Sequence, residues 1–121
     1  MKLLLKRGQK SGMLSSKIIF TLDAQAELTP QEREFVTKYK MGSTMLYTNM
    51  ADRGSGVLGA VSRAIKGIEV NVDDLVNRKH FECKDILEMV GVEEQLKEAS
   101  HNFKMILDTA AHFGGEEVIE I

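Results

Sequence analysis

Gly54-Ser55-Gly56-Val57-Leu58-Gly59 spells G-x-G-x-x-G, and Asp73 and Asp74 follow about twenty residues later. In a dinucleotide-binding turn such glycines let the backbone approach a pyrophosphate at a helix N-terminus, and the distant acid holds a ribose hydroxyl. Arg53, Arg63 and Lys66 flank the motif and would meet a phosphate. The turn also needs a strand running straight into the first glycine, and here Asn49–Arg53 intervenes. Eight residues separate Gly59 from Ile68, too few for an ordinary crossover helix. Arg53, Gly54, Gly56, Gly59, Arg63 and Lys66 therefore form the candidate ligand site of a second reading, a small-ligand or nucleotide-binding module. The plainer alternative is a glycine loop before a helix of small residues.

His80 and Cys83 lie three apart and would meet on one helical turn as base and thiol. A reactive thiol needs an electropositive, partly exposed setting. Lys79 and Lys84 supply positive charge, Glu82 and Asp85 offset it, and the neighbouring sequence marks no third residue to orient the base. A lone cysteine is more often a small core residue. His101 and His112 are eleven residues apart, about 16 Å along one helix, so they can share a metal only across a subunit boundary. The chain thus leans away from enzymes without settling the matter, and we assign no catalytic residue, metal site or cofactor from sequence.

Lys6-Arg7-Gly8-Gln9-Lys10, with Lys17, makes a modest basic patch. It lacks aromatic platforms and sits in a chain of net charge −2, so nucleic acid is a poor partner for it. Charge is nonetheless polarised. Lys2, Lys6, Arg7, Lys10 and Lys17 give residues 1–22 a net of +5, whereas ten acids against Lys84, Lys97 and Lys104 give residues 82–121 a net of −7. The two ends attract, within one subunit or between two.

The elements that carry these residues follow from hydrophobic period. Lys2–Arg7 reads as a first strand and GQKSG (8–12) as a turn. Phe20, Leu22, Ala24, Ala26 and Leu28 alternate with Thr21, Asp23, Gln25 and Glu27, the mark of a strand with one buried face. Thr29-Pro30-Gln31-Glu32 is a capping box with proline at the first helical position, and Phe35, Val36 and Tyr39 stripe the helix that follows, with Gly42 as its stop. Ser43–Thr48 reads as a third strand, 57–68 as a short helix and Ile68–Val72 as a fourth strand. Asp85 and Glu88 have capping-box spacing, and Gly91 marks a kink or junction. Beyond it, Val92, Leu96, Ala99, Phe103, Ile106, Ala110 and Phe113 step by four and three over three heptads, widened by Leu107 and Ala111. Glu116–Ile121 can add a terminal strand.

The expected architecture is one α+β domain over residues 1–121. It has a mostly antiparallel sheet of four or five strands, one short helix and a long C-terminal amphipathic helix. With 43% hydrophobic residues and no Trp, the core rests on aliphatic side chains and five Phe. A single cysteine suits a reducing compartment, and no apolar run approaches the ~20 residues of a membrane span, so a cytoplasmic protein is expected. The leading functional reading is a small, non-enzymatic protein-interaction module that self-associates into a homo-oligomer. The seam Val92, Leu96, Ala99, Phe103, Ile106, Ala110 and Phe113 is its candidate contact surface, with the chain's own sheet an equally good partner for the same face.

Overall fold

The computed structural model describes residues 1–11, 17–46, 67–112 and 118–120. The elements are β1 (Lys2–Ser11), β2 (Ile18–Glu27), α1 (Pro30–Lys38), α2 (Val72–Asn77), β3 (Lys79–Cys83) and α3 (Ile86–Ala111). The three strands form an antiparallel sheet in the order β1-β2-β3. The fold is α+β, with short helices and one long C-terminal helix, and the sheet has three strands among the described residues instead of four or five.

The hairpin follows the alternation in β2. Leu22, Ala24 and Ala26 are buried on one face, while Thr21, Asp23 and Gln25 occupy the other. β1 runs through the segment expected to turn: Gly8, Gln9, Lys10 and Ser11 pair with Thr21, Phe20, Ile19 and Ile18. A partner strand ten residues long outweighs local turn chemistry here. Gly8 suits the strand because a Cβ there would come within 2.8 Å of the Thr21 hydroxyl.

α1 starts at its capping box. The Thr29 hydroxyl accepts from the Glu32 N–H at 3.2 Å, and the Glu32 carboxylate accepts from the Thr29 N–H at 3.0 Å. It stops earlier than Gly42. Tyr39 closes the last turn and Lys40 takes the left-handed backbone, with φ of 51°. Gly42 serves a close approach instead, since a Cβ there would lie 2.5 Å from the Asp73 carboxylate.

The third and fourth strands are replaced by a single bridge among the described residues. Met45 lies opposite Asn71, with Leu46 N–H donating to the Val70 carbonyl and Val72 N–H to that of Thr44. Tyr47 and Thr48 fall outside the described residues, as does most of the helix expected over 57–68. Extension past Asn71 is cut off because its side chain accepts from the Asp74 N–H at 2.8 Å and Asp74 reciprocates at 2.9 Å. This second capping box starts α2. β3 then pairs with β2 from Ala24↔Lys79 to Phe20↔Cys83.

α3 is one helix of 26 residues, about 39 Å long. Asp85 caps it, accepting from the Glu88 N–H at 2.8 Å. Gly91 is an interior, buried residue of this helix and not a junction. The helix lies across β2 and β3 and also packs on α1. Leu22, Leu46, Leu75, Leu96, Phe103 and Leu107 form the largest buried apolar set. Phe103 is fully buried inside the chain. Phe103→Ala should lower unfolding stability by about 3–5 kcal/mol in urea titration. A loss under about 1 kcal/mol would mean that this ring does not fill the core.

Candidate interaction surfaces

The structure divides the seam. Val92, Leu96, Ala99, Phe103 and Ala110 are buried in the chain's own core, and Ile106 is half-buried. Phe113 lies outside the described residues. Only the last turns of α3 bring the seam near solvent. There Ile106 and Ala110, with Met105 and Thr109, face Tyr39 and Met41 from the end of α1 across a trough of about 450 Å³. Met105 is 56% exposed. The Thr109 hydroxyl donates to the Met105 carbonyl at 2.9 Å, which leaves the trough apolar. Phe35 packs one helical turn from Tyr39, with ring centroids 6.2 Å apart, and helps fix that wall. Sequence reasoning passed over Met41, Met105 and Thr109, and gave Tyr39 only a place in the stripe of α1. Met105 and Thr109 each precede a seam residue by one position, and that widening of the apolar stripe was the available signal.

The polarised ends of the chain meet within the subunit. Arg7 donates to Glu93 of α3 through both Nε and Nη2, the latter at 3.1 Å. Lys10 pairs with Glu82 of β3 at 2.5 Å. A planar guanidinium fork suits this buried carboxylate, whose charge it satisfies from the exposed side. Beside this pair Phe20, Ile86, Met89 and Val90 line a second hollow of about 370 Å³.

The sheet face turned away from α3 is polar. Lys6, Asp23 and His80 lie in one cross-strand row. His80 Nδ1 is 2.9 Å from Asp23 and Arg78 is 3.6 Å from it. The His80 hydrogen bond, supported by the charge of Arg78 and opposed by burial, holds the Asp23 carboxyl below the usual range. Such a carboxyl stabilises the fold above its unfolded pKa, near about 4, and loses that contribution as pH falls through its lowered folded value. Asp23→Asn should therefore be less stable than the native chain at neutral pH, and the gap should close as pH falls below about 4. Urea midpoints measured across that range check this, and a gap independent of pH would show that the charge contributes nothing.

His80 and Cys83 do not form a base and nucleophile. Both are on β3, where residues three apart point to opposite faces. His80 is exposed on the polar face, whereas Cys83 is 1% exposed in the core. Burial pushes the Cys83 thiol up, and Glu88, Asp85 and Glu93 add to the shift. Alkylation of Cys83 in the native protein should run at least about a hundredfold slower than in denaturant. Equal rates, followed by mass spectrometry, would place the thiol at the surface.

No three His, Cys, Asp or Glu side chains converge as a metal site among the described residues. His112 Nδ1 lies 2.7 Å from the Asp108 carbonyl at the end of α3. Arg53, Gly54, Gly56, Gly59, Arg63 and Lys66 all fall outside the described residues. No helix among the described residues is long and apolar enough to cross a membrane. Compared with models of protein families, with curated proteins and with solved structures, the chain has no match.

Proposed function

We propose that this chain is a non-enzymatic protein-interaction module that self-associates, and that copies meet at the trough bounded by Tyr39, Met41, Met105 and Ile106. The observation carrying the reading is the apolar trough itself, in which a largely exposed methionine stands beside an opening lined by no charged side chain among the described residues. A second copy is the occupant that fits. Met105 is an unbranched, adaptable side chain beside a trough roomy enough to receive it, so two copies related by a two-fold axis can each place Met105 in the other's trough. Ala110 and Thr109 allow the two α3 ends to approach closely. The lone, buried Cys83 suits work in the reducing cytoplasm.

The second reading, a small-ligand or nucleotide site at 53–59, rests on the glycine pattern alone.

Sedimentation from about 1 to 500 μM tests the proposal. The native chain should pass from monomer to dimer, with a Kd in the micromolar range typical of a small apolar contact. Met105→Lys should weaken the dimer at least about tenfold while leaving the melting temperature of the monomer unchanged, because the side chain is outside the core. A native chain that stays monomeric throughout would overturn the reading.

A further inference from the structure

β1 is an edge strand. It pairs with β2 on one side, and no strand pairs with its other edge among the described residues. Its N–H and C=O groups on that side form a template ten residues long. Lys2, Leu4 and Lys6 stand exposed in a row on the polar face of the sheet. Neither lysine has an ion-pair partner among the described residues. Pairing of β1 with a second β1 would bring lysines of the two strands together, and like charges facing across strands are destabilising. The same row selects an acidic strand.

A segment of the chain that follows α3 in sequence matches it. Residues 116–121 read Glu-Glu-Val-Ile-Glu-Ile, so Glu116, Val118 and Glu120 would share one face of an extended strand. Their spacing equals that of Lys2, Leu4 and Lys6. Antiparallel pairing sets Glu116 against Lys6, Val118 against Leu4 and Glu120 against Lys2. Parallel pairing exchanges the ends and keeps both ion pairs. On the opposite face Ile119 would lie beside Leu3 or Leu5, which already pack on the core. Val118 and Ile119 are 85% and 73% exposed and belong to no strand in the single chain. Seven residue steps separate Ala111 from Val118, so the tail can reach at most about 25 Å from the end of α3.

We propose that the free edge of β1 is a strand-pairing site for residues 116–121 of a second copy of this chain, with Glu116 and Glu120 recognised by Lys2 and Lys6. The proposal rests on the self-association reading and names a second contact for it, apart from the trough. Backbone hydrogen bonds would supply the affinity and the two ion pairs the choice of partner.

A charge exchange tests it, read by sedimentation with melting temperature as the control for folding. Lys2→Glu with Lys6→Glu should weaken self-association at least about tenfold, and so should Glu116→Lys with Glu120→Lys. An equimolar mixture of these two variants should associate as the native chain does, because each supplies the charges the other lacks. The four changes combined in one chain should also restore association. If the native chain associates and either exchange leaves it unaffected, the strand pairing is wrong while the self-association reading stands. Restoration in the fourfold variant but not in the mixture would place the pairing within one chain and overturn the second copy as occupant. A native chain that is monomeric at every concentration would remove both.

Discussion

The fold depends on the match between one face of β2 and one stripe of α3. Leu22, Ala24 and Ala26 repeat every second residue, whereas Val92, Leu96, Ala99, Phe103 and Leu107 repeat at helical spacing. The two periods are compatible only where side-chain volumes interdigitate, with small residues under large ones. Ala24 and Ala26 leave the strand face shallow, and bulkier members of the same core cluster, Leu75 of α2 and Leu96 and Phe103 of α3 among them, complete the layer. α1, α2 and the segment around Leu46 close the sides of this layer. A 26-residue helix gains little stability from its backbone alone, so burial of this stripe is what holds it in place.

Charge is arranged around that layer. The basic first strand and the acidic last third are brought side by side by the order β1-β2-β3 and the return of α3, so Arg7 meets Glu93 and Lys10 meets Glu82. Polarity along the sequence thus becomes neutralisation across the sheet's edge. The Lys10–Glu82 pair is exposed and contributes more to register than to stability, whereas Arg7 covers a buried Glu93 carboxylate. On the outward row of β1, Lys2 and Lys6 lie opposite Glu27 and Asp23 of β2.

Elements with strong local signals were legible in the sequence. The alternation of β2, the capping box at Thr29 and the seam of α3 each became the expected structure because pattern and packing agree. Elements decided by competition were not legible. Asn71 to Asp74 carries both the end of an alternating run and a capping box, and the box prevails because its two hydrogen bonds satisfy helix N–H groups that a lone strand would leave unpaired. Lys79–Cys83 is too short to show its period, and only pairing with β2 makes it a strand. Gly91 looks like a break in isolation, yet it lies where α3 is buried, and its carbonyl accepts from the Gln95 side chain at 3.2 Å. Of the candidate contact residues, Ile106 and Ala110 belonged to the seam read from sequence. Tyr39 belonged to the stripe read for α1, whereas Met41 reaches the trough through the turn after that helix, which no pattern in the sequence announces.

The bridge between Met45 and Asn71 has an architectural consequence. With the Leu46–Val70 hydrogen bond, it ties two segments far apart in sequence to each other at the border of the core. Gln95 reinforces the second segment from inside, accepting from the Ile68 N–H at 2.8 Å. Thr44, Leu46, Val70 and Gln95 thus act as a clasp, holding two sequence-distant segments and the middle of α3 as one unit, so that displacing any one of them loosens the others.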